Sequence, residues 1–175
     1  MKDKLEYVYV GMGGNIGDTF AVMQRAVTEL AQMEGITEFE CSKIYQTTPV
    51  TPYQDISQED YLNAVCRFTT SLEPLTLLQV LQSLEKKLGK IAAPKNSARV
   101  IDLDILFFGC QEHNHSHLMI PHPKWKERLF VLTPLLDLTE NIHLPDSIEI
   151  QIKHLITCLA NSDEKITLHV NKIKH

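Results

Sequence analysis

The sequence predicts an α+β protein. Its core is a ferredoxin-like split βαβ arrangement with an antiparallel sheet, helices packed on the sheet, and a C-terminal extension. Three observations predict this class. Period-2 and helical apolar patterns follow one another as β-α-β-loop-β-α-loop-β. Two of the strands succeed each other with only a loop between them, which strict β-α alternation would not produce. The chain is 175 residues long, which suits one domain (1–175) burying roughly 70 % of its unfolded surface.

The elements are read in order. Leu5–Met12 is a buried strand and GGNIGD a turn. Thr19–Met33 is a helix with Val22, Ala26, Val27 and Leu30 on one side, stopped by Gly35. Thr37–Gln46 is a strand, and residues 47–60 form a long loop of the kind that is often functional. In Tyr61–Thr70, Leu62, Ala64, Cys66 and Phe68 face one way, and Tyr61, Asn63 and Val65 the other. Pro74 opens a helix carrying Leu77, Leu81, Leu84 and Leu88, closed by Gly89. A loop over 90–98 leads into ARVIDLDILFFG, whose Ile101, Leu103, Ile105 and Phe107 share a face. Gly109–Ser116 is a polar turn, Phe130–Leu138 and Ile148–Leu159 are helical, and Lys165–Val170 alternates like a strand.

Composition narrows the function. The chain is 43% hydrophobic and 22% charged, as expected of a soluble globular protein. It has no run long enough for a membrane span and no signal-peptide pattern at its start, which points to the cytoplasm. The four cysteines are scattered, each in or beside an apolar run, and read as reduced core thiols. A net charge of -5 disfavours a general nucleic-acid binder, including a polymerising nucleotidyl transferase. Two stretches are nevertheless basic: Lys86, Lys87, Lys90, Lys95 and Arg99, then His122, Lys124, Lys126 and Arg128 against Glu127. Either these are solvated loops or they receive a small polyanion.

Asp102 and Asp104 stand on one face of an otherwise apolar strand, their Cα atoms roughly 6.6–7 Å apart by strand rise. Carboxylates so placed repel each other and weaken a strand. They make sense as ligands for Mg²⁺, which takes one or two carboxylates and completes its shell with waters and substrate phosphates; an exposed strand face is the alternative. Arg99, at the strand mouth, offers a fork for phosphate oxygens, or pairs with an acid. GMGGNIGD lacks the spacing of a dinucleotide fingerprint and has no G-K-[ST], so it reads as a tight turn or a close backbone approach to a ligand. HNHSH reads as a polar hairpin tip rather than a zinc site, since no second ligand cluster follows. A non-catalytic ligand-sensing module of the same fold would leave the Asp pair without a role.

Four blocks carry a resemblance: YVYVGMGGNIGD, YQTTPV followed by DYLNAV, ARVIDLDILFFG, and LMIPHPKWKERLFVLTPL. In order and spacing they resemble the 6-hydroxymethyl-7,8-dihydropterin pyrophosphokinase family over residues 7 to about 138. The resemblance implies transfer of diphosphate from ATP to 6-hydroxymethyl-7,8-dihydropterin, with release of AMP, in folate biosynthesis. It implies two Mg²⁺ ions on Asp102 and Asp104, with Arg99 and Lys90 as further catalytic residues. It implies a pterin slot between Tyr61 and Phe130, with Asn63, Thr47, Val50, Gly13 and Asn15 around it. ATP would meet Glu85, Arg99, His122 and Arg128. Loops 47–60 and 90–98 would close over the phosphates. The chain departs from the family's pattern where an Arg-x-Trp-Gly-Pro-Arg run is replaced by NSAR, and where Lys90 stands for an Arg. A monomer is expected, with association with other folate enzymes left open.

Overall fold

β1 (Glu6–Gly14) runs through the middle of a six-stranded sheet and pairs antiparallel on both sides, with β4 (Tyr61–Thr70) and with β5 (Asp102–Phe108). The structure is a computed structural model and describes residues 6–49, 59–92, 97–160, 162, 164–170 and 173. Beyond β4 lie β2 (Ile36–Cys41) and β3 (Ile44–Thr47), both paired to it, and β10 (Ile166–Val170) pairs with β3. The order β3-β4-β1-β5, with α1 (Thr19–Ala31) and α2 (Pro74–Lys87) as the two crossovers, is the expected split βαβ arrangement. β10 is the C-terminal extension, added to the sheet as one more antiparallel strand.

One face of the sheet carries α1 and α2. Met23, Ala26, Val27 and Leu30 of α1, Leu77, Leu81 and Leu84 of α2, and Leu88 just after it pack on Val8, Val10, Ala64, Cys66 and Phe68. Met23 takes the fully buried place that the sequence assigns to Val22, which is only partly covered. Asp18 caps α1 by accepting from the Ala21 N–H at 3.0 Å. Glu73, at the start of α2, makes no such bond. A missing cap costs about 1 kcal/mol. Each buried leucine contributes about 1.5–3 kcal/mol, so packing decides.

The other face carries α3 (Leu129–Leu136), α4 (Ile152–Cys158) and a small hairpin of β8 (Asn141–His143) with β9 (Glu149–Gln151), around Val65, Leu106, Phe107 and Trp125. α3 covers only part of this face. Its C-terminal end is latched by Asp137, which accepts from the Lys43 N–H (3.0 Å), the Lys43 ammonium (3.1 Å) and the Tyr45 hydroxyl (3.0 Å). Among the described residues, no helix is long and apolar enough to cross a membrane.

Several local expectations change. The strand expected over 37–46 is two strands, because Ser42 leaves the ladder: its N–H donates to Val65 O and its hydroxyl accepts from Val65 N. Val10 faces Ile105 while Tyr9 faces Phe107, so Leu106 is an unpaired bulge residue. The bulge turns Phe107 away from the face of Ile105, into edge-to-face contact with Trp125 at 4.8 Å. The helix expected from Ile148 begins only at Ile152, since 149–151 pair with 141–143. The polar turn after Gly109 contains β6 (His113–His115), paired with β7 (Leu118–Ile120). Cys41 and Cys66 are buried opposite each other, but Cys110 and Cys158 are exposed, because their apolar neighbours, not they, turn inward.

Burial and the bond to Asp137 push the Tyr45 phenol up from 10.0 to about 12. The unfolded chain therefore releases this proton at lower pH than the folded one, and stability falls as pH rises from 10.0 towards 12. We expect Tyr45→Phe to show a shallower alkaline decline in melting temperature than the unsubstituted protein. Parallel declines would remove Tyr45 from the alkaline titration.

Candidate active site

Where α3 stops covering the sheet, a cavity of about 650 Å³ opens. Its floor is β1. Gly13 stands opposite Asn63 on β4 and Asp102 on β5, and Gly11 opposite Val65 and Asp104. A Cβ at Gly13 would lie 2.7 Å from Asn63 Oδ1. The glycines thus keep the floor free of side chains between the amide and the carboxylates. At Gly14 the constraint is the neighbouring chain, because a Cβ would run into the Val100 carbonyl.

Asn63 is 5% exposed. Its Nδ2 donates to Thr47 Oγ1 at 2.8 Å, which fixes the amide with its oxygen towards Gly13. Tyr61 and Phe130 both line the cavity, one from β4 and one from the first turn of α3. The Arg128 guanidinium lies 5.3 Å from the centroid of the Phe130 ring. His122 reaches the cavity because its N–H donates to the carbonyl of the bulge residue Leu106 at 2.9 Å. Burial pushes its imidazole below the ordinary value, against the pull of Asp104.

Asp102, Asp104, Arg99, His122 and Arg128 gather at the same cavity. The repulsion expected of the Asp pair is offset by cations. Lys90 Nζ meets Asp102 Oδ1 at 2.7 Å and Glu85 Oε1 at 2.8 Å, and Arg99 Nη1 binds Asp102 Oδ2. Among the described residues, no group of three or more His, Cys, Asp or Glu side chains is placed to hold a metal ion. The pair therefore fits a hard cation whose remaining positions are filled by waters and by a ligand's own oxygens.

The family model for 7,8-dihydro-6-hydroxymethylpterin-pyrophosphokinase (HPPK) matches residues 9–140. The chain belongs to the HPPK family. A Synechocystis protein named 2-amino-4-hydroxy-6-hydroxymethyldihydropteridine pyrophosphokinase is 37% identical over 153 residues, 86% of this chain and 76% of its own length. A Bacillus subtilis protein of the same name is 38% identical over 77% of this chain and 78% of its own. The folic acid synthesis protein fol1 of Pneumocystis carinii is 39% identical over 80% of this chain, which spans only 18% of that protein. In fold, the chain is similar to the Plasmodium falciparum HPPK-DHPS protein, with a TM-score of 0.66 at 15% identity, covering 89% of this chain and 44% of that one.

Not every residue that the HPPK resemblance singles out reaches the cavity wall. Gly13, Thr47, Tyr61, Asn63, Arg99, Asp102, Asp104, His122, Arg128 and Phe130 do. Lys90 and Glu85 act one step back. Glu85 comes from α2, is 6% exposed, and its Oε1 also accepts from the Leu103 N–H at 2.7 Å. That N–H lies on β5, the edge strand of the sheet, so the carboxylate occupies a backbone donor that no strand pairs. Burial raises the Glu85 carboxyl, and the bonds from Lys90 and Leu103 pull it back. Asn15 is also off the wall. Its backbone N–H donates to Arg99 O (2.9 Å), its side-chain oxygen accepts from Arg99 N (2.9 Å), and its amide donates to Glu59 O (3.1 Å). It thereby ties the end of β1 to both long loops. Val50, with residues 50–58 and 93–96 of the two loops expected to close, lies outside the described residues.

Gly11 and Lys124, named in the sequence only within a glycine turn and a basic stretch, also line the cavity, as do Ser162 and Glu164, which sequence reasoning missed. Gly11 had a signal, since glycines two apart on a strand share a face. Ser162 and Glu164 had none, because they arrive through long-range packing.

Glu85→Ala would leave the Leu103 N–H and the Lys90 ammonium short of a partner. We expect a loss of about 1–3 kcal/mol in urea unfolding, the cost of a buried unpaired polar group, and a smaller loss for Glu85→Gln. A Glu85→Ala protein as stable as the parent would show that Glu85 does not brace β5.

Proposed function

We propose that this chain transfers the β,γ-diphosphate of ATP to the hydroxymethyl group of 6-hydroxymethyl-7,8-dihydropterin, releasing AMP. The observation that carries the reading is the register of β1. It sets an amide (Asn63) and a carboxylate (Asp102) in one row on either side of a bare glycine floor.

The pterin ring, flat and edged with amide-like groups, fits between Tyr61 and Phe130. The Asn63 oxygen, oriented by Thr47, accepts from the ring N–H and amino edge. Pterin at the Asn63 side leaves its hydroxymethyl arm directed across Gly13 towards Asp102. The triphosphate occupies the charged end, where His122, Lys124, Arg128 and Arg99 meet its oxygens. Asp102 and Asp104 would hold Mg²⁺, two ions in the full arrangement, whose charge offsets that of the phosphates. Anionic oxygens also give Arg99 and Lys90 new partners in place of Asp102, which frees that carboxylate. The hydroxyl oxygen attacks the β-phosphorus and gives up its proton to solvent, the bond from the β-phosphorus to the oxygen it shares with the α-phosphorus breaks, and AMP departs. Such transfer asks the protein for positioning and charge rather than covalent help.

The experiment is product analysis with ATP, Mg²⁺ and the dihydropterin. AMP with a diphosphorylated pterin is the expected result. ADP or pyrophosphate would assign a different transfer and overturn the reading. Asp102→Asn and Asp104→Asn should each lower turnover by at least about 100-fold, as loss of a charge-stabilising group at the reacting phosphate does. Their circular dichroism should stay native, and full activity in both variants would refute the metal assignment.

A further inference from the structure

We infer that Glu164 is a positioning residue for the aromatic wall of the pterin slot, so that the segment leading into β10 sets the width of that slot. The inference rests on the pterin reading above. Glu164 is a half-buried carboxylate on the cavity, and the proposed transfer gives it no task. Its Oε1 accepts from the Phe130 N–H at 2.8 Å and its Oε2 from the Leu129 N–H at 3.0 Å. Both are donors of the first turn of α3, and Arg128, which precedes that turn, supplies no side-chain cap. Glu164 therefore provides, from 34 residues along the chain, the cap that the helix lacks locally.

The two residues that follow reach the opposite wall. The Lys165 carbonyl accepts from Thr48 N at 3.2 Å, the Lys165 N–H donates to Thr48 Oγ1 at 3.4 Å, and Ile166 pairs with Thr47. Thr47 is the residue that holds Asn63. Residues 164–166 thus bond at one end to the backbone of Phe130 and at the other to the neighbours of Asn63. The separation of ring and amide is fixed by three consecutive residues rather than by the sheet alone.

The role is specific to the slot because the rest of α3 is held elsewhere. Val131, Leu132 and Leu135 are buried in the second core, and Asp137 latches the far end to β3. Loss of Glu164 loosens the turn that carries Phe130 and leaves the helix body in place.

The test uses the full chain and direct binding, apart from turnover. The dihydropterin is titrated by its own fluorescence into the unsubstituted protein, Glu164→Ala and Glu164→Gln, with Mg²⁺ and an ATP analogue carrying a methylene between the α and β phosphorus. Nucleotide affinity and melting temperature are measured alongside. Glu164→Ala should weaken the pterin about tenfold, the size of a lost helix cap. Glu164→Gln, which keeps one acceptor oxygen, should weaken it less, by about threefold. Nucleotide affinity should fall clearly less than pterin affinity in both, because Arg99 and His122 stand on other segments and Arg128 alone adjoins the loosened turn. Pterin affinity unchanged in both variants overturns the inference. So does an equal loss of pterin and nucleotide affinity, which would mean general loosening. If Glu164→Ala does not fold, Glu164→Gln decides by the same criteria. An unsubstituted protein that binds no pterin overturns the pyrophosphokinase reading instead, and is recognised before any variant is compared.

Discussion

Two glycines on the central strand hold the site open, and the rest of the arrangement depends on them. Gly11 and Gly13 share a face of β1, a strand with partners on both sides. Neighbouring strands lie about 4.8 Å apart, so Asn63 and Asp102, one strand away on either side of Gly13, are about 10 Å apart. A valine pair at these positions would favour the strand and fill the gap. The glycines weaken β1 locally, and two full ladders with β4 and β5 make that tolerable. The sheet thus acts as a ruler: register decides which side chains share a row, and no loop is needed to bring the amide and the carboxylate to a common floor.

Charge is managed on the same principle. Three carboxylates, Glu85, Asp102 and Asp104, lie at or near the edge strand β5, and two cations, Lys90 and Arg99, lie among them. Lys90 is tied by its own backbone to Glu85 O at 2.9 Å, and Arg99 is clamped through its backbone to Asn15. Each cation therefore has a fixed origin and a long side chain that can exchange one anionic partner for another. Without a polyanion their partner is Asp102. A polyanion beside the aspartates would meet these cations first, which lowers the cost of bringing like charges together.

What the sequence showed of this depended on range. The alternation in β4, the leucine spacing of α2 and the Asp pair are local patterns, and each stands in the structure as read. The break at Ser42 was illegible because it depends on bonds to Val65, on another strand. The bulge at Leu106 was hidden inside an apolar run, where shifting one residue changes which face each side chain takes without changing its hydrophobicity. β9 reads as the start of a helix because Ile148, Ile152, Leu155 and Leu159 fit a helical period, and pairing with 141–143 overrides it. The cavity residues were legible where a motif holds them and not where they arrive from the C-terminal segment.

The two walls of the slot are secured by different means. Asn63 and the carboxylates stand on strands whose ladders fix them directly. Phe130 stands on α3, a two-turn helix with no local cap, containing Pro134, which lacks the N–H that would close a bond within the helix. Such a helix holds little structure on its own. Its position is set from outside, by burial of Val131, Leu132 and Leu135 along its length and by a carboxylate at each end. Asp137 takes the C-terminal end, where the helix dipole disfavours an acid, and is compensated there by the Lys43 ammonium and backbone N–H. Glu164 takes the N-terminal end, where the dipole favours it. The carboxylates of the charged end thus stand on the rigid sheet, whereas Arg128 and the aromatic wall stand at an element that tertiary contacts hold. The amide and the carboxylates are therefore fixed by strand ladders, and the Phe130 ring is fixed by packing and by carboxylates from other segments.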